Sequence, residues 1–125
     1  ANGGLGAVHG LAGVIGGVTP AAHGAICGVL LGPVLAMNRR HSADPARLHE
    51  VCALIAAELG SDAADAPQAL AGWARDSGLP GLRAQGLDPA QHEGVAQASL
   101  ASSSMKGNPF APDPAQLCEV MRAAG

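Results

Sequence analysis

The stretch ANGGLGAVHGLAGVIGGVTPAAHGAICGVLLGPVLAMN (residues 1–38) contains no Asp, Glu, Lys or Arg, and the fold turns on how it is read. Its length first suggests a membrane hairpin over residues 3–37. Thr19-Pro20 argues against that, because it divides the run into two shorter pieces, each diluted with Gly and each carrying one His. A membrane span needs about twenty predominantly apolar residues. The run therefore reads as a buried pair of helices, and no membrane partner is expected. Gly16-Gly17 stops the first helix, and Thr19-Pro20 offers an N-cap and a first-turn proline to the second.

Glycines recur at helical intervals, with Gly6, Gly10, Gly13 and Gly17 along the first helix and Gly24, Gly28 and Gly32 along the second. Each interior Gly costs about 1 kcal/mol relative to Ala. The placement makes sense where backbones approach closely, within the fold or between two chains, so that packing offsets weak propensity.

After Arg39-Arg40 the chain becomes amphipathic. Asp44-Pro45, Asp88-Pro89 and Asp113-Pro114 each place a capping carboxylate before a proline, with Gln91 and Gln116 at the positions of a capping box. A third helix over about 45–59 lines up Leu48, Val51, Cys52, Ile55 and Leu59 and ends at Gly60, which makes Cys52 a core residue. Further helices are expected over about 66–77, 89–102 and 114–124. No run has the period-two pattern of a strand. The expected fold is all-α, a compact bundle of about six helices with the Gly-rich pair buried at the amino end, in a single domain over residues 1–125.

The composition bounds the function. With 48% hydrophobic residues but one Trp, one Phe and no Tyr among 125, the core must be made of Ala, Leu, Val and Ile. Ten acidic against seven basic residues give a net charge of −3, which argues against phosphate-backbone binding and so against nucleic acid. Eighteen Gly and nine Pro hint at disorder, yet 14% charged residues and a mean hydropathy of +0.21 describe a folding chain. Three widely spaced cysteines, without a CxxC pair or a secretory pattern, point to a reduced, cytoplasmic setting. The chain opens on Ala1 rather than Met, as expected of a processed or cut amino end.

Chemistry rests on the five histidines. His9 and His23 stand in the charge-free run, whereas His41, His49 and His92 sit beside polar neighbours and read as surface residues. At about 1.5 Å per residue, His9 lies roughly 10 Å before the end of the first helix and His23 about 6 Å into the second. Their rings could therefore meet across an antiparallel pair. Cys27, one turn beyond His23, is a possible third ligand or a small apolar filler. Lys106, in a Ser- and Gly-rich loop with Asn108, is a possible anion contact, though a solvated loop is the plainer reading. Trp73 with Leu70 suggests core packing, and Asp62 and Asp65 read as loop and cap residues.

The stretch Gly6-Ala7-Val8-His9-Gly10-Leu11-Ala12, followed by His23-Gly24, Leu30-Leu31 and Asn38, resembles the metal-binding segment of the iron-containing (group III) alcohol dehydrogenases, a group that includes maleylacetate reductases and glycerol dehydrogenases. Ser102-Ser103-Ser104-Met105-Lys106-Gly107-Asn108-Pro109 resembles the closing segment of the same family. The resemblance implies an amino-terminal α/β domain that binds NAD(P) and a helical carboxy-terminal domain that holds a divalent metal through one Asp and three His. His9 and His23 would be two of those ligands, and the Asp and the other His would lie upstream. The family's further His, one turn after the first ligand and assigned to proton relay, is Gly13 here.

No glycine cluster follows a strand, so no NAD(P) site is expected in this chain alone. The leading expectation is a metal-dependent hydrolase of an ester or phosphoester, a small-molecule substrate, with zinc, iron or manganese shared by His9 and His23 of both chains in a homodimer. The alternative is a severed or degenerate domain of an NAD(P)-dependent iron-containing alcohol dehydrogenase, inactive alone.

Overall fold

The computed structural model describes residues 5–125, so the opening of the charge-free run, residues 1–4, lies outside the described residues. The six α-helices are α1 (Gly6–Val18), α2 (His23–His41), α3 (Ala46–Leu59), α4 (Ala66–Asp76), α5 (His92–Leu100) and α6 (Pro114–Ala123). Short 3-10 turns occur at Ala63–Asp65, Pro89–Gln91 and Ser103–Gly107, and no strand occurs among the described residues. The all-α expectation therefore holds.

The longest helix, α2, is the axis of the bundle and packs against α1, α3, α4 and α6. It runs straight through Arg39-Arg40, where the sequence changes character, because Arg39, Arg40 and His41 complement the negative end of the helix. Pro33 sits inside it at the loss of one backbone hydrogen bond. Two apolar clusters flank this axis. Leu11, Ile15, Ile26, Leu30, Val34, Leu117 and Met121 belong to the larger, and Leu35, Leu48, Cys52 and Ala66 form the smaller. Cys52 is fully buried, as its stripe on α3 requires.

Two of the three expected Asp caps form as complete capping boxes, Asp88 with Gln91 and Asp113 with Gln116. Asp88 opens a 3-10 turn that leads into α5, so that helix begins three residues later than its cap suggests. Asp44 makes only a long 3.4 Å contact from the Ala46 amide, and α3 starts with no side-chain cap. Gly60 ends α3 at φ 71°, the left-handed conformation that glycine adopts without strain.

The glycine stripe does bring backbones close, but not between α1 and α2. A Cβ on Gly6 would lie 2.5 Å from the Asn108 nitrogen and the Ser104 oxygen. A Cβ on Gly32 would lie 2.6 Å from the Pro67 carbonyl oxygen on α4. Gly13, Gly17 and Gly24 face open space. The stripe is thus split among the Ser104–Asn108 segment, Leu79 (beside Gly28) and α4, which the spacing alone does not distinguish.

Two residues depart from their expected surroundings. Trp73 is 50% exposed and lies beside Leu31, Leu54, Ile55 and Leu70 in a shallow apolar groove, instead of filling the core. His92 is 8% exposed, a buried residue at the start of α5 rather than a surface one, because its neighbours Val95 and Ala96 turn that face inward.

Candidate metal centre

The centre is built by the α1–α2 connection. Thr19 adopts an extended conformation that ends α1, and its hydroxyl donates 2.9 Å to the Ile15 carbonyl. The Ala21 amide in turn approaches Thr19 Oγ1 at 3.4 Å. Thr19 therefore closes the first helix instead of capping the second, whose extended N-cap is Ala22 with no side-chain bond. As a result α1 continues past Gly16-Gly17 to Val18, and His23 is the first helical residue of α2.

Chain reversal then sets Leu11 and Ile15 of α1 beside Ile26 and Leu30 of α2, all fully buried. Ile26 Cδ1 lies 4.0 Å from the Cβ position of Gly16, an ordinary contact distance, so the approach of α2 does not depend on a glycine there. Burying that apolar face rotates His9 and His23 outward together, and both are exposed. Their rings stack with centroids 6.4 Å apart and planes 14° from parallel. The expected meeting of the two histidines is present.

Cys27 is partly buried one turn along α2, with Sγ 3.4 Å from His23 Nε2. One ligand atom from each of His9, His23 and Cys27 can be chosen so that all lie within 4.8 Å of one another. Among the described residues no other group of three or more His, Cys, Asp or Glu converges in this way. Burial pushes the Cys27 thiol up, partly opposed by a backbone hydrogen bond. The neutral thiol can then donate to His23 in the tautomer that leaves Nε2 unprotonated. Imidazole and thiol donors suit zinc, iron, nickel and copper better than magnesium or calcium, so this donor set fits a transition-metal ion.

The other sequence candidates separate from the centre. Lys106 is exposed in the 3-10 turn Ser103–Gly107, while Asn108 is buried and serves the fold. Asp62 and Asp65 are exposed around the turn before α4, and His49 is exposed on α3. His41 is exposed yet lies against Phe110, with ring centroids 5.6 Å apart. Gly13, one turn after His9, has nothing within 4 Å of its Cβ position, so nothing occupies the place of the relay histidine that the resemblance implies. Sequence reasoning passed over the bonding role of Asn38, although Asn38 and Asn108 were both among the residues that carried the resemblance.

No helix among the described residues is long and apolar enough to cross a membrane. The profile described as Fe-containing alcohol dehydrogenase family, C-terminal, matches residues 1–125. Among solved structures, the chain is similar to one titled "Crystal structure analysis of 1,3-propanediol oxidoreductase", with a TM-score of 0.71 and 24% identity. The similarity covers 95% of this chain but 32% of that one, so this chain spans about a third of the length of that relative. At that identity it speaks for the fold. No curated protein matches the chain. These findings overturn the expectation of a metal-dependent hydrolase, since the matched family performs alcohol redox chemistry and no finding points to hydrolysis of an ester or phosphoester. The alternative, a severed domain of an iron-containing alcohol dehydrogenase, fits them better.

Proposed function

Because the chain belongs to the Fe-containing alcohol dehydrogenase family, matching its C-terminal part along residues 1–125, we propose that it is the metal-holding helical domain of an NAD(P)-dependent alcohol dehydrogenase. In this reading His9 and His23 hold a divalent ion, and a nucleotide-binding domain supplies the cofactor. The substrate class is an alcohol or the corresponding carbonyl compound. The observation that supports the reading best is the stacked His9–His23 pair, two rings brought together from the two helices on either side of Thr19.

Bound here, a divalent ion supplies Lewis acidity toward an alcohol or carbonyl oxygen. The protein's own contribution is positional. Thr19 fixes the reversal, the buried Ile15 and Ile26 lock the two helices, and the histidines are left facing outward where a substrate and a second domain can reach them. Open glycines at Gly13, Gly17 and Gly24 leave space around the pair for that approach.

Elemental analysis of the purified protein, on a size-exclusion peak of known mass, tests the reading. About one ion per chain is expected, lost in His9→Ala and His23→Ala while helical content is retained. Metal content unchanged by both substitutions overturns it. One ion per two chains on a dimer peak would show a shared ion.

A further inference from the structure

We propose that Cys27 is itself a ligand of the ion, so that this chain presents a two-histidine, one-thiolate set that prefers zinc to iron or manganese. The inference deepens the metal-holding reading above and rests on it. His23 and Cys27 are one helical turn apart, which places both on the same face of α2. Zinc takes nitrogen at about 2.0–2.1 Å and sulfur at about 2.3 Å, so two such ligands of one tetrahedral ion stand about 3.5 Å apart. Cys27 Sγ and His23 Nε2 are 3.4 Å apart, at that spacing. His9 brings the third donor from α1, inside the same 4.8 Å limit.

Packing accounts for part of this placement, since Cys27 lies against the larger apolar cluster that holds the fully buried Ile26 and Leu30. It does not account for the sulfur, which stands at the half-buried edge of that cluster within 3.4 Å of an exposed histidine. The other two cysteines show the contrast. Cys52 and Cys118 are buried, and among the described residues neither joins a group of three ligand-type side chains, Cys118 meeting only Glu93 at 3.6 Å. On binding, the sulfur–metal bond forms as the thiol proton leaves to solvent, with no change of oxidation state. A thiolate ligand selects soft and borderline ions such as zinc, whereas imidazole and carboxylate ligands alone discriminate less against iron and manganese.

Cobalt(II) is the probe, because thiolate ligation gives a near-ultraviolet sulfur-to-cobalt charge-transfer band and any cobalt site gives visible ligand-field bands. The expected result is both sets of bands in the metal-stripped protein, with the near-ultraviolet band absent in Cys27→Ser and kept in Cys118→Ser. Zinc affinity in Cys27→Ser should fall by about tenfold or more, and manganese affinity by much less. Ligand-field bands that depend on His9 and His23 but come without a charge-transfer band would overturn the thiolate ligand and leave the histidine reading standing. The same holds if the charge-transfer band survives in Cys27→Ser. Cobalt binding unaffected by His9→Ala and His23→Ala, or no cobalt binding at all, would overturn the reading beneath it. A circular dichroism spectrum of Cys27→Ser matching the parent shows that band loss is not unfolding.

Discussion

Asn38 and Asn108 form a reciprocal amide pair in the interior, with Asn38 Nδ2 donating 3.0 Å to Asn108 Oδ1 and Asn108 Nδ2 donating 2.9 Å to Asn38 Oδ1. Asn108 Oδ1 also accepts from the Ala7 amide at 3.1 Å, and its Nδ2 donates to the Phe110 carbonyl at 3.1 Å. One side chain thus joins the first turn of α1, the far end of α2 and the segment before α6. The Ala7 amide is one of the donors that a helix start leaves without a helical partner, which is why an amide oxygen is held there. Asn108→Ala should leave the Ala7 amide without its acceptor and remove both bonds of the amide pair. Each buried group left unpaired costs about 1–3 kcal/mol. The expected loss is several degrees in Tm by calorimetry, and the double variant with Asn38→Ala should cost less than the sum of the two single losses.

Glycines on the two central helices should answer in opposite directions. Gly13 is an exposed helix-interior position with open space at its Cβ, so Gly13→Ala should stabilise by up to about 1 kcal/mol. Gly32→Ala would drive a methyl group to 2.6 Å from the Pro67 carbonyl oxygen and 3.1 Å from the Ala71 amide nitrogen. It should lower stability by about 1–3 kcal/mol, because α2 and α4 must separate. Urea midpoints of the two variants against the parent decide this. A stabilised Gly32→Ala would refute the close packing of those helices.

Arg39 clamps the 3-10 turn before α4 from α2, its guanidinium donating 2.8 Å to the Ala63 carbonyl and 2.7 Å to the Ala64 carbonyl. A planar fork reaches two neighbouring carbonyls at once, and an ammonium group cannot copy that geometry. Arg39→Ala should destabilise by about 1–2 kcal/mol, the lower range for bonds to a charged donor because the site is solvent-exposed. Arg39→Lys should recover less than half of that in chemical denaturation. Full recovery would mean that charge rather than the fork matters.

His92 gives stability a pH dependence. Burial holds its pKa down, Arg122 adds to the effect, and Asp88 opposes it. The folded protein therefore binds this proton less readily than the unfolded chain, whose histidines titrate near about 6.5. As pH falls through that value the unfolded state takes up the proton first, so stability is full above it and declines below it. Tm measured from about pH 8 down to about pH 5 should fall in the parent and fall less steeply in His92→Gln. Equal slopes in the two proteins would remove His92 as the source.

Local rules determined much of this molecule from its sequence alone. Hydrophobic spacing and Pro/Gly punctuation located the six helices, because each depends on residues within a few positions of one another. The Asp88 and Asp113 capping boxes belong to the same class, and so does Cys52 in the stripe of α3. The meeting of His9 with His23 was legible too, since a short connection forces the two helices antiparallel and both rings fall near the same level. What the sequence could not decide was partnership at long range. Thr19 had two helix ends to serve and closed the first, Gly28 and Gly32 met Leu79 and α4 rather than α1, and Trp73 stayed half in solvent. Asn38 and Asn108 are 70 residues apart. No local propensity links them, and only the packing of α1, α2 and the segment before α6 pairs their amides.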